Sequence, residues 1–203
     1  TISRPEVCST AQLFFEVLEE AGLDSNLNVK ACEAIYLGIM TDTGSFRFPS
    51  VTAKTHNVFQ KLILNGVVPF EIHEKIFDQN TSNQLKLRGY AVSEKMEFIK
   101  DAPIGMISLT MEELSRFNYQ KGDTEGLVNV ILSVKGISVA IFMMENEEGK
   151  VKMSFRAKGK YTVNEFAKKY FNGGGHKYAA GGYSELSLEE TRATLLKHYT
   201  EIL

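Results

Sequence analysis

Cysteine is scarce. Cys8 and Cys32 are the only two in 203 residues, and they have no metal-ligand spacing. A disulfide framework and a thiolate metal site are thereby excluded, and buried free thiols in helical, apolar patterns fit a reducing, cytoplasmic compartment. Basic excess is absent too: 23 Lys and Arg face 25 Asp and Glu, for a net charge of −2 and a pI near 6.1. That excludes a broad cationic surface for duplex nucleic acid and leaves room for a small basic pocket. No run approaches the ~18 apolar residues of a membrane helix, and no signal peptide, repeat or low-complexity tract is present. Nor is there an initiator methionine. The chain opens at Thr1 and enters a helical pattern within a few residues, which reads as an internal start. What is present, 43% hydrophobic and 24% charged residues, is globular and sufficient for one large domain or two small ones.

Helical periodicity dominates the first part. Ser9-Thr10 is an N-cap signal before an apolar stripe of Ala11, Leu13, Phe14, Val17 and Leu18, and Gly22 stops it. Asn28 opens a second helix with Ala31, Cys32, Ile35 and Ile39 on its apolar face. Residues 50–66 read as a third helix, burying Val58, Phe59, Leu62 and Ile63, and Pro69 opens a fourth carrying Ile72, Ile76 and Phe77. Residues 81–95 form a mixed-charge helix suited to a connector. Strand patterns begin after it, at 104–109 and in a hairpin of 138–145 with 152–157 around Asn146-Glu147-Glu148-Gly149. A helix at 162–171, a short strand at 183–186 and a last helix from Ser187 complete the chain. The expected architecture is α/β in two lobes: a helix-rich part at 1–80, a connecting helix at 81–100, and an α+β part with a mixed sheet at 101–203.

Two stretches carry chemistry. Residues 173–182 hold five glycines, with Gly173-Gly174-Gly175 running straight into His176. Consecutive glycines allow positive φ and close backbone approach, and successive N–H groups in such a turn can cradle an anion. The competing reading is a flexible turn between a helix and a strand. The second stretch is Thr41-Asp42-Thr43-Gly44, followed by Arg47. Asp42 either caps a turn, the commoner case, or offers a hard carboxylate to Mg²⁺ or Mn²⁺ beside a phosphate-gripping arginine. The segment before it, 34–40, is strongly apolar, so Asp42 is expected at the edge of a core. One carboxylate alone is not a metal site.

The stretch from Gly38 to Arg47 resembles the fourth motif of the DHH phosphoesterase superfamily. Gly173-Gly174-Gly175-His176 with Ala179-Ala180-Gly181 resembles the signature of its DHH-associated C-terminal domain. Residues 125–129 and 154–159 are similar to segments of the nanoRNase/pAp-phosphatase (NrnA-like) branch. The likeness runs from Pro5 to the last helix, whereas the first three motifs, including the Asp-His-His, would precede Thr1. The resemblance therefore implies the C-terminal part of a DHH catalytic domain at 1–80 and a complete substrate-binding domain at 101–203. It implies Asp42 as a catalytic ligand to one of two Mn²⁺ ions, with Mg²⁺ as an alternative. Arg47, Asn129, Arg156, Gly173, Gly174, Gly175 and His176 would hold the substrate. Lys158 and Lys177 are weaker additions, since exposed lysines are usually solvated charges. The implied reaction is two-metal hydrolysis of short single-stranded RNA to mononucleotides, or removal of the 3′-phosphate from pAp, in a cleft between the lobes. Exopolyphosphatase or pyrophosphatase chemistry, and a non-catalytic nucleotide-binding module, are the alternatives. This chain alone is expected to be inactive; a homodimer is left open, and no membrane contact is expected.

Overall fold

Ser9, Asn28 and Thr52 each accept a hydrogen bond from the backbone N–H three residues on, and each opens a helix. These are α1 (Thr10–Glu20), α2 (Val29–Asp42) and α3 (Ala53–Leu64). Proline at the first turn, where its missing N–H costs nothing, starts α4 (Pro69–Phe77). The computed structural model describes residues 2–203 and divides into two units, Thr1–Gln79 and Asn80–Leu203. No helix among the described residues is long and apolar enough to cross a membrane.

The first unit's core is Phe15 from α1, Cys32, Ile35, Tyr36, Ile39 and Met40 from α2, Val58, Phe59 and Leu62 from α3, and Ile72 from α4. The face that α1 buries differs from the apolar stripe expected of it. Gln12, Phe15 and Glu16 are buried, while Phe14 is 53% exposed. The cause is a polar cluster. Glu16, with its side chain 2% exposed, accepts from Gln12 Nε2 at 2.8 Å and pairs with Lys54 at 2.8 Å and Arg4 at 3.4 Å. With its hydrogen bonds satisfied, a buried carboxylate is tolerated where an apolar side chain was expected. Ile63 of α3, also expected inside, is 47% exposed.

The second unit is a six-stranded mixed sheet between two sets of helices. Helix α5 (Ser82–Glu94) is followed by β1 (Met96–Phe98), β2 (Ile104–Leu109), α6 (Met111–Arg116) and α7 (Leu127–Leu132). Then come β3 (Val139–Glu145), β4 (Val151–Ala157), α8 (Asn164–Tyr170), β5 (Gly174–His176), β6 (Ala179–Ser184) and α9 (Leu188–His198). Strand order is β1-β2-β3-β4-β6-β5, antiparallel except for β2–β3. A parallel pair needs a crossover, and here it carries α6 and α7. Leu114, Leu127, Val128 and Ile131 of that crossover, with Leu87 and Ala91 of α5, bury Ile107, Leu109, Ala140, Phe142 and Met144 of β2 and β3. On the other face, Val163, Phe166, Ala167 and Phe171 around α8 and Leu188 and Leu195 of α9 cover Ile141, Met143, Met153 and Phe155. Helix α5, expected as a connector, thus lays two buried residues on the sheet of the second unit.

Glu113 fastens α5 to α6. Its carboxylate receives the Lys95 ammonium at 2.8 Å, the Tyr90 hydroxyl at 2.6 Å and the Thr110 N–H at 2.9 Å. Burial raises its pKa, but these three donors together outweigh burial and hold it at about 2, below the ordinary 4.5. A carboxyl depressed in the folded state stabilises the fold above its unfolded pKa. That stability, on the order of 3 kcal/mol, is lost as pH falls from about 4.5 toward about 2. Glu113→Gln is therefore expected to lower stability near pH 7 by about 2–3 kcal/mol. It should also flatten the acid limb of stability against pH, read by urea unfolding across that range. An unchanged acid limb would remove Glu113 from this role.

Candidate functional site

Backbone register brings the C-terminal candidates together. Paired residues on adjacent strands put their side chains on one sheet face, and alternate residues along a strand share that face. Arg156 of β4 pairs with Ala179 of β6, which pairs with His176 of β5. Ser154 pairs with Gly181, and Gly181 with Gly174. Arg156, Ser154, Gly181, Gly174 and His176 thus stand on the face that the crossover helices cover over β2 and β3. Helix α7 still reaches β4, and the face is open beyond it, over β6 and β5. Gly174, Gly181 and His176 are exposed, and Arg156 and Ser154 half-buried. Arg156 and His176 lie two strand spacings apart, roughly 10 Å. One guanidinium nitrogen of Arg156 donates to the Phe155 carbonyl at 3.0 Å, leaving most of its donor fork to the open side.

The glycine stretch is an edge strand and a tight hairpin, where a turn or flexible loop between a helix and a strand was expected. Gly174–His176 is β5, and Lys177-Tyr178 is the two-residue turn into β6. The glycines divide by what a Cβ would meet. At Gly173 it would meet the Gly181 carbonyl oxygen at 2.2 Å, at Gly175 the Ala179 oxygen at 2.5 Å, and at Gly182 the Phe171 oxygen at 2.7 Å. Backbone contact therefore requires those three. At Gly174 nothing lies within 4 Å, and at Gly181 only the Met153 oxygen at 3.8 Å. Internal packing does not require these two, and they are register partners on the open face.

Asn129 is exposed on α7, whose buried face is Leu127, Val128 and Ile131. Lys158 is a structural residue: its ammonium donates to the Leu132 carbonyl at 2.8 Å, at the C-terminal end of α7. Lys177 lies over the Tyr178 ring.

In the first unit, Asp42 is the last residue of α2, and its carboxylate is exposed rather than set into a core edge. The chain then makes a left-handed turn through Gly44, Ser45 and Phe46, with φ of 57°, 58° and 67°. Non-glycine residues in that region cost of order 1–3 kcal/mol each and persist only when over-determined. Here the Phe46 ring lies 4.0 Å from that of Phe59, centroid to centroid, and Thr43 Oγ1 accepts the Phe46 N–H at 3.1 Å. His73 Nδ1 lies 2.8 Å from the Pro69 carbonyl oxygen, which only accepts, so Nδ1 carries the proton. Its Nε2 then accepts from the Ser45 hydroxyl at 3.1 Å. Arg47 folds back on the turn, Nε donating to the Gly44 carbonyl at 2.9 Å, with the rest of its fork exposed. Ser45 and His73 were not found from sequence, because 28 positions separate them.

A hard divalent cation takes about six oxygen ligands. No group of three His, Cys, Asp or Glu side chains able to hold a metal occurs among the described residues. Asp42 is a single donor, so these residues do not make a two-ion centre by themselves. Their chemistry is that of holding and orienting.

Residues 105–203 match the DHHA1 domain. This part of the chain is a DHHA1 domain. The chain is 30% identical over 174 residues, 85% of its length, to the bifunctional oligoribonuclease and PAP phosphatase NrnA of Bacillus subtilis. It is 28% identical over 200 residues to the protein of that name in Thermus thermophilus. It covers 54% and 58% of those proteins, and so spans little more than half their length. A solved exopolyphosphatase-related protein from Bacteroides fragilis superposes with a TM-score of 0.95 at 36% identity. That likeness covers 99% of this chain and 58% of the other. That solved structure shares the fold described above, helical part first and mixed sheet second.

The division among glycines is testable by stability alone. Gly175→Ala should destabilise the protein by about 1–3 kcal/mol, because its methyl group meets backbone that cannot yield. Gly174→Ala should stay within about 0.5–1 kcal/mol of the parent. Urea unfolding of the two variants side by side decides it, and equal losses would overturn the distinction.

Proposed function

We propose that the second unit is the substrate-holding part of a phosphoesterase acting on short oligoribonucleotides or on pAp. One observation carries this reading: a sheet face open over β6 and β5 and half-covered at β4, with Arg156 and His176 rising from a floor that includes two glycines not needed for packing. An arginine fork grips a phosphate with two parallel charge-assisted hydrogen bonds. A floor without Cβ atoms at Gly174 and Gly181 lets a sugar or base lie against backbone. The names of the NrnA relatives agree with nucleotide substrates. The near-neutral net charge suits a short substrate rather than a long electrostatic track.

In the first unit, the over-determined turn presents Asp42 and Arg47 at its two ends. We assign Asp42 as one carboxylate ligand toward a divalent cation, Mn²⁺ or Mg²⁺, and Arg47 as a further phosphate contact. Two free cysteines support a cytoplasmic placement. Polyphosphate is a second reading, favoured by the name of the Bacteroides fragilis structure. A polyphosphate would use the cations but has no base or sugar to lay on the glycine floor.

Arg156→Ala and His176→Ala should each weaken binding of pAp roughly 10- to 100-fold, the worth of one charge-assisted contact, with unfolding unchanged. Calorimetric titration with pAp and with tripolyphosphate separates the two readings. Tighter binding of tripolyphosphate than of pAp would favour the polyphosphate assignment. Asp42→Asn should abolish hydrolysis by the complete protein while leaving pAp affinity of this chain intact; activity within a few-fold of the parent would make Asp42 a turn residue only.

A further inference from the structure

The open face continues past the Ser154 row. Lys152 is the next residue of β4 on that face, and its register partner is Tyr183 of β6. Both are exposed, Tyr183 at 45%. Among the described residues, the Lys152 side chain has no ion pair or hydrogen bond, and the Tyr183 ring has no aromatic neighbour. No carboxylate stands on this face of β4, β5 or β6. The nearest acid along β6, Glu185, lies beyond the end of the strand and faces Lys150 at 3.5 Å.

Taking the nucleotide reading above as its basis, we propose that Lys152 and Tyr183 form a second nucleotide seat beside the one at Arg156 and His176. Strand geometry sets the spacing. Same-face residues recur every ~6.7 Å along a strand, which puts Lys152 roughly 13 Å from Arg156. Between them lies the Ser154–Gly181–Gly174 row, where the largest side chain is a serine, so no bulky side chain of the row itself stands between the two seats. The Tyr183 ring offers a sequence-tolerant stacking surface for a base, as every base has a π-face. Lys152 offers a point charge to the linking phosphate. A ligand with one base fills the first seat alone, whereas a dinucleotide fills both. The seat would therefore distinguish an oligoribonucleotide from pAp on a single sheet face.

The test compares pAp with the dinucleotide pApA carrying 2-aminopurine, titrated onto the parent chain and its variants. Tyr183→Ala should weaken pApA roughly 5- to 100-fold, and Tyr183→Phe should restore it, since stacking needs the ring and not the hydroxyl. Both should bind pAp within two-fold of the parent and unfold normally in urea. Lys152→Ala should reduce the salt dependence of pApA binding by about one phosphate contact, a log–log slope change near 0.7. Equal losses for pAp and pApA, or none for either, would overturn the second seat. Arg156→Ala separates this from failure of the underlying reading. If it binds both ligands as tightly as the parent, the first seat is misplaced and the second falls with it.

Discussion

A parallel pair of strands must send its connection across a face of the sheet, and an antiparallel pair need not. The arrangement of the second unit follows from that asymmetry. The β2–β3 crossover lays α6 and α7 on one face, with α5 beside them, and buries the residues beneath. Antiparallel steps then carry the sheet on through β4, β6 and β5, and the only helix inserted among them, α8, covers the opposite face. The crossover's face is left without a cover over β6 and β5, and α7 shields β4 only in part. Alternation along β4 shows the consequence: Val151, Met153, Phe155 and Ala157 are buried, while Lys152, Ser154 and Arg156 are not. The polar, cationic character of this half-face answers to its exposure, and that exposure makes it available to a ligand.

The glycines are best understood against this background. A glycine-rich segment can serve packing or access, and the two are separable atom by atom. Gly173, Gly175 and Gly182 let β5 and the end of α8 approach β6 backbone to backbone, and a methyl group at any of them would overlap a carbonyl oxygen. Gly174 and Gly181 have space, and they are the pair on the open face. The motif thus contains two sets of glycines with different causes. Only the second leaves open space above the backbone.

Much of this was legible in the sequence, and the rest was hidden for identifiable reasons. Strand β4 and helix α8 announce themselves by period and β3 by an unbroken apolar run, since β4 alternates, α8 recurs at helical spacing and β3 is buried on both faces. Strand β5 does not, because glycine has low strand propensity and contributes no apolar signal. Helix α1 misleads for the opposite reason. Its buried face contains Gln12 and Glu16, made tolerable by Arg4 and Lys54, and a hydrophobicity pattern cannot register partners so distant. The placement of Arg156 and His176 on one face needed the register with Ala179, which lies in the stretch read from sequence as a turn. Lys152 and Tyr183 carried only the alternation signal, too weak to single out one exposed lysine or tyrosine.

The turn after Asp42 poses the remaining energetic question. Two non-glycine residues in the left-handed region oppose folding by a few kcal/mol together. The ring of Phe46, wedged among Tyr36, His56 and Phe59, returns an amount of that order through burial and edge-to-face contact. The Ser45–His73 hydrogen bond and the three bonds to Thr43 Oγ1 and its carbonyl add to it. A plain helix end needs none of this. A Schellman turn with one glycine at its C′ position would close α2 with less strain. What the strained version achieves is to bring the chain back on itself within five residues. Asp42 and the Arg47 guanidinium, tethered to the Gly44 carbonyl, then emerge from the same turn on a backbone held from several sides. A guanidinium tethered in that way has less freedom to lose on meeting an anion, and part of the cost of ordering it is met in folding instead of in binding.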